Sequence, residues 1–318
     1  ASISGNYTYT VTNKTYTTIT KFNSKVSGDV AVPDKVGGYY VTHVGDGAFY
    51  WCYNITSITL PKRVTYIGDK AFEYCSKMKN ISLPEGVTYI GDSAFEDCIA
   101  LQNIDIPPAT TIIADWAFDG CDSLKSVDIP NSVTSLGDYA FFSCNSLQTV
   151  TIGDGVTSIG EKTFAGCASM TSVTIPDSVT TIGSWAFSVC SSLISIAIPY
   201  GITSIETSTF SHCTSLTSIT IPDSVTTIAS GAFEDCISLS SITIPNSVTS
   251  MDRQAFYDCS TLAAINVDEN NAYYTSVDGV LFNKNMTELI RYPAGKQQTS
   301  YSIFDGVTSI GDSAFYGC

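Results

Sequence analysis

Ten cysteines, Cys52, Cys75, Cys98, Cys121, Cys144, Cys167, Cys190, Cys213, Cys236 and Cys259, follow one another at intervals of 23 residues without a slip. A phenylalanine stands three positions before each, from Phe49 to Phe256, and Leu, Ile or Met three positions after each, from Ile55 to Leu262. β-Branched residues or Leu follow at six and eight positions, usually with Pro next, as in Ile219, Ile221 and Pro222. The unit reads C-x2-L-x2-I-x-I-P-x2-V-x2-I-G-x2-A-F-x2-C. A period of this size marks a solenoid, in which one unit cannot bury its own apolar face and needs the next to do so. Such a stack escapes the limit of roughly 250–300 residues at which single cores stop growing.

Within the unit, the end of L-x2-I-x-I alternates apolar and polar residues, which predicts a short parallel strand that Pro terminates. V-x2-I-G reads as a second extended segment on the other side of the coil. Asp, Ser or Thr then precedes x-A-F, as at Asp69, Asp92, Asp115, Asp138, Ser184, Thr207 and Ser230, and predicts the N-cap of a short helical turn carrying Phe and Cys inward. The expected fold class is an α/β repeat solenoid: a parallel β-sheet on one face, short strands and short helical turns on the other.

The phrases Ile221-Pro222-Asp223-Ser224-Val225-Thr226-Thr227-Ile228 and Gly231-Ala232-Phe233-Glu234-Asp235-Cys236 resemble the BspA-type, or Treponema-type, leucine-rich repeats. The likeness covers roughly residues 30–318. Departures are local: Gly153 and Phe304 stand for the Pro, Thr110 for the Val, Thr163 and Thr209 for the Ala. The resemblance implies a right-handed leucine-rich-repeat coil and a secreted or cell-surface protein of a bacterium or protist. Adhesion to host matrix proteins such as fibronectin and fibrinogen, and cell–cell aggregation, are what it implies about function.

Residues 1–29 lack the repeat. Tyr7–Val11 and Tyr16–Thr20 read as two strands about Asn13-Lys14, an N-terminal β-hairpin cap over the first coil. The repeat region is expected over 30–318. Cys318 stands 59 positions after Cys259, 13 more than two periods, which places a β-hairpin island at about 268–302. The chain stops in mid-repeat at Cys318, so a fragment of a longer protein is expected.

Thirty acidic against fifteen basic residues give a formal charge of −15, which argues against nucleic acid and anionic membrane surfaces as partners. No apolar run approaches the roughly 20 residues needed to cross a bilayer. The cysteine column reads as buried thiols used as small apolar side chains, with disulfides between neighbouring coils the alternative. No C-x2-C pair exists and there are only two histidines, so no metal site is expected. His43 and His212 are seven repeats apart and read as ordinary surface residues. No nucleophile, metalloprotease or phosphate-loop motif occurs, so neither a catalytic site nor a cofactor is expected. Asp69, Asp92, Asp115 and Asp138 read as caps first and calcium ligands second.

The outward positions of the strand face, Thr59, Ser82, Asp105, Asp128, Thr151, Thr174, Ala197, Thr220 and Thr243, form a carpet of small, mostly polar residues with no anchor. The turn side carries Tyr50 and the candidate binding residues Trp51, Tyr74, Trp116, Tyr139, Phe142 and Trp185. Aromatic side chains dominate interface hot spots, although the same rings also suit packing over the gaps between coils. The expectation is a non-enzymatic adhesion or ligand-binding scaffold for a protein partner, with a carbohydrate-binding module or a spacer within a larger surface protein as alternatives.

Overall fold

In the computed structural model, the period from one Cys to the next closes one coil, with a strand of up to five residues on one side and a two-residue strand on the other. The structure describes residues 1–318 as two units, Ala1–Ser169 and Met170–Cys318.

In the first unit the strands Ser2–Ser4, Tyr7–Thr12 and Tyr16–Phe22 pair antiparallel. Tyr16–Phe22 then pairs parallel with Tyr39–Val44, which starts a ladder through Tyr66–Ile67, Tyr89–Ile90, Ile112–Ile113, Ser135–Leu136 and Ser158–Ile159. The register advances by one period per coil, as in Tyr66 opposite Tyr89. On the other side Gly28–Ala31, Ile55–Thr59 and Asn80–Ser82 pair in parallel, as do Ser126–Ile129 and Thr149–Ile152. Phe22 comes from the antiparallel strands and its ring stacks 4.8 Å from Phe49, so residues outside the repeat begin the core column. Phe49, Phe72, Phe95, Phe118, Phe141 and Phe164 continue it, fully buried, with neighbouring centroids 5.1–5.5 Å apart. Each stacked pair contributes about 0.5–1.5 kcal/mol beyond the area it buries.

The second unit repeats the plan. Ser195–Ala197 pairs with Ser218–Thr220, Ser241–Ile244 with Ala264–Val267, and Ser204–Ile205, Thr227–Ile228 and Ser250–Met251 line the other side. Phe187, Phe210, Phe233 and Phe256 stack at 5.5–5.9 Å. The long coil after Cys259 holds three antiparallel strands, Tyr274–Val277, Val280–Asn283 and Glu288–Arg291, the last pairing parallel with Ser309–Ile310. Val280, Phe282, Leu289, Tyr292 and Ala314 share one buried cluster. Arg291, only 2% exposed, sends Nη1 to the Ser313 carbonyl at 2.7 Å and Nη2 to the Phe256 carbonyl at 3.2 Å. Phe256 would otherwise meet a column cysteine, and this coil has none.

The turn between the second strand and the cysteine is not helical, and the structure contains no helix. Amide groups alternate between two partners. Ala71, Glu73 and Cys75 bond three residues back within the coil, whereas Lys70, Phe72 and Tyr74 bond carbonyls of the next coil. That alternation requires left-handed residues at two columns, five positions and one position before the cysteine, as at Lys70 (φ 57°) and Tyr74 (φ 60°), with Gln254 before Cys259 the exception. A run of helical φ values therefore never accumulates. The aspartates are caps of another kind: Oδ1 of Asp46, Asp69, Asp92, Asp115 and Asp138 accepts the N–H one period later, at 2.7–3.1 Å. They tie coil to coil and do not open a helical turn. Gly91 shows how close the coils come, since a Cβ there would lie 2.5 Å from Asp69 Oδ1.

Candidate interaction surface

Because Trp51 and Tyr74 occupy the column just before the cysteine, their rings meet across neighbouring coils at 4.8 Å, with Tyr50 6.1 Å from each. Trp116 and Tyr139 occupy the other left-handed column and stack at 5.1 Å, with the Phe142 ring 5.4 Å from Tyr139. The first unit thus carries two aromatic clusters, separated by the coil that holds Ser93 and Asp97. Trp185 lies in the second unit, in the same column as Trp116. Tyr50, Trp51 and Trp116 stay 39–49% exposed, while Tyr74, Tyr139, Phe142 and Trp185 are partly buried. Trp51, Tyr74, Trp116, Tyr139 and Trp185 all hold φ between 53° and 60°, a region unfavourable for bulky side chains.

A strip of carboxylates runs beside these rings. Glu73, Glu96 and Asp119 follow one column, and Asp97 and Asp122 lie alongside. Lys70 Nζ meets Glu73 Oε2 at 3.0 Å. Burial first, then the charges of Glu96, Asp97 and Asp122, raise the Asp119 carboxyl from the ordinary 3.8 to about 7. Burial, Glu96 and Asp122 likewise raise Asp97. Lys162 Nζ lies 5.0 Å over the Tyr139 ring and 3.0 Å from its hydroxyl.

Sequence reasoning missed a second aromatic column. The rings of Tyr16, His43, Tyr66 and Tyr89 follow one another at 4.9–5.5 Å, so His43 is a half-buried member of a stack and no ordinary surface residue. Its Nδ1 lies 2.8 Å from Thr42 Oγ1, and burial lowers its pKa. The spacing of Tyr66 and Tyr89 by one period was the available signal. His212, in the second unit, is exposed and lies 2.8 Å from Asp235 Oδ2. No three His, Cys, Asp or Glu side chains converge in a way that would hold a metal ion. No helix is long and apolar enough to cross a membrane.

The cysteines are not in disulfides, and all but Cys318 are buried. Their thiols do more than fill space: Sγ of Cys75, Cys98, Cys121, Cys144 and Cys167 donates to the carbonyl of the Phe in the preceding coil at 3.2–3.3 Å. Cys213, Cys236 and Cys259 do the same in the second unit at 3.0–3.2 Å.

Comparison with known proteins places these features in a family context. The family model for the BspA type leucine rich repeat region matches residues 42–171 and 157–285, in 6 copies. No curated protein matches the chain. Among solved structures, a leucine rich cell surface protein from Faecalibacterium prausnitzii is 29% identical, with 84% of this chain and 94% of that one covered and a TM-score of 0.50. A leucine-rich repeat protein of T. pallidum is 32% identical over 59% of this chain and 88% of its own, with a TM-score of 0.57. One from Bacteroides ovatus is 25% identical over 99% of this chain and 92% of its own, with a TM-score of 0.52.

Proposed function

Because the chain belongs to the BspA-type leucine-rich repeat family, whose repeats are protein-interaction scaffolds, we propose that it is a cell-surface or secreted adhesion scaffold that grips a protein ligand without covalent chemistry. The observation that carries this reading is the pair of aromatic clusters, Tyr50/Trp51/Tyr74 and Trp116/Tyr139/Phe142, left partly exposed beside an acidic strip. Exposed aromatic anchors with a charged rim are the composition of interface hot spots. Surface location is supported by the Faecalibacterium structure, a cell surface protein in its own description. In this proposal residues 1–29 cap the array, 30–318 form the repeat region with an island at about 268–302, and Trp185 is a candidate binding residue of the second unit by itself. The ligand proposed is a host matrix protein such as fibronectin or fibrinogen, engaged through basic residues.

Glycan binding is the weaker reading. A sugar stacks on open ring faces, and Tyr139 has Trp116 on the side of the preceding coil and Lys162 on the side of the next. The test is solid-phase binding of the intact chain to fibronectin, fibrinogen and a glycan panel. Saturable, salt-sensitive binding to a matrix protein is the expected result; binding to glycans alone would support the module reading, and no binding at all the spacer reading.

A further inference from the structure

A repeat protein contains its own control: where the same outward position recurs in every coil, a coil that departs from the pattern does so for reasons the fold does not impose. Three outward positions of the strand face are the fourth, seventh and tenth after the cysteine. After Cys167 they are Thr171, Thr174 and Asp177, and after Cys213 they are Thr217, Thr220 and Asp223. After Cys190 they are Ile194, Ala197 and Tyr200. No other coil has apolar residues at all three. None of the three is needed by the core, since Ile194 is 52% and Tyr200 76% exposed, and Ala197 is exposed as well.

This coil borders a groove of about 400 Å³ walled by Ala197, Tyr200, Thr220 and Pro222. Ser218, Ile219 and Thr220 also line an adjoining groove of about 410 Å³ that reaches Asp223 and Asp268. No lysine or arginine occurs between Lys162 and Arg253, and the turns that follow the strands in this stretch carry Asp177 and Asp223; beyond it, Lys284 Nζ lies 3.1 Å from the carbonyl of Glu269, next to Asp268. We propose that the strand face of the second unit is a docking site for an extended basic peptide segment, with one aliphatic or aromatic side chain seated against Ile194, Ala197 and Tyr200 and its cationic residues on Asp223 and Asp268. Parallel coils are about 4.8 Å apart and an extended chain rises about 3.3 Å per residue. Asp223, one coil on, therefore faces the first or second residue after the anchor, and Asp268, three coils on, about the fourth. The site rests on the scaffold reading but uses residues separate from the turn-side aromatics, so the two fail independently.

The probe is a fluorescein-labelled peptide carrying one Phe with Lys at the second and fourth positions after it, in a Gly/Ser background, titrated into the intact chain and followed by anisotropy. The variant Ile194→Thr/Ala197→Thr/Tyr200→Asn gives this coil residue types that other coils already carry, so it retains the fold. Saturable binding is expected, weakened about tenfold or more in that variant and about threefold or more in Asp223→Asn/Asp268→Asn, with a shallower salt dependence in the latter. Three results overturn the proposal: no saturable binding by about 1 mM peptide, equal binding by the triple variant, or equal binding of a peptide with Glu in place of both Lys residues.

Discussion

Cys98 Sγ lies 3.2 Å from the carbonyl oxygen of Phe72 in the preceding coil, an oxygen that also accepts the N–H of Cys75. Each column cysteine thus fills the second lone pair of a buried carbonyl, which an apolar residue of similar size leaves unmet. Cys98→Ala is expected to lose about 1–2 kcal/mol through the missing donor and the small void, read as a lower denaturant midpoint. A stability equal to wild type would show that the thiol serves only as volume.

Burial pushes the Cys52 thiol up to about 11 and that of Cys259 to about 12. Nucleophilic thiolate is therefore scarce in the column at pH 8, and Cys318 is the one exposed cysteine. Iodoacetamide on the native protein at pH 8 should label one site by intact mass, and all eleven only after unfolding. Rapid native labelling of several column cysteines would mean that the coils open readily.

Asp119 gives stability a pH dependence of unusual sign. Its folded value, about 7, lies above the ordinary 3.8, so between these limits the folded chain holds a proton that the unfolded chain has released. Its contribution is fully present below about pH 4 and is lost as the pH rises through about 7. The melting temperature should fall between pH 5.5 and 8, and Asp119→Asn should flatten that change and raise stability at pH 8. An Asp119→Asn variant with the wild-type pH profile would remove Asp119 as the cause.

Val189 is β-branched, 44% exposed and held at φ 59°, in a column that elsewhere holds Asp97, Gly120, His212 and Asp235. Asn tolerates this conformation and Val does not. Val189→Asn should therefore stabilise the protein by about 1 kcal/mol, seen as a raised melting temperature; a lowered one would show that the Val side chain contributes packing that outweighs the strain.

The period and the Phe and Cys columns were legible because they state which side chains face inward, and that suffices to specify a leucine-rich-repeat stack. The turn was misread as helical because handedness is carried by the backbone, and Lys70, Trp116, Tyr139 and Val189 do not advertise a left-handed φ. Gly120, Gly166, Asp97, Asp235 and Asp258, all one position before a cysteine, were the available hint. Partners one period away also escaped: the aspartates were assigned to their own turns, whereas their acceptor atoms serve the next coil. Asn271, fully buried, bonds the carbonyls of Pro245 and Val248 and the amides of Tyr273 and Tyr274, and nothing in a single irregular coil marks such a plug. The turn-side aromatics were recognisable as outward, but their rings meet only where neighbouring coils both carry one, and the coil of Ser93 and Asp97 leaves two separate clusters.

The central claim, a scaffold that holds a protein ligand through the turn-side aromatics, is tested most directly by titrating immobilised fibronectin and fibrinogen with the intact chain and with Trp116→Ala/Tyr139→Ala. The account predicts saturable binding to at least one of them, weakened about tenfold or more in the variant, with the fold retained by circular dichroism. Equal binding by the variant, or no binding of the wild type to either protein, would contradict it.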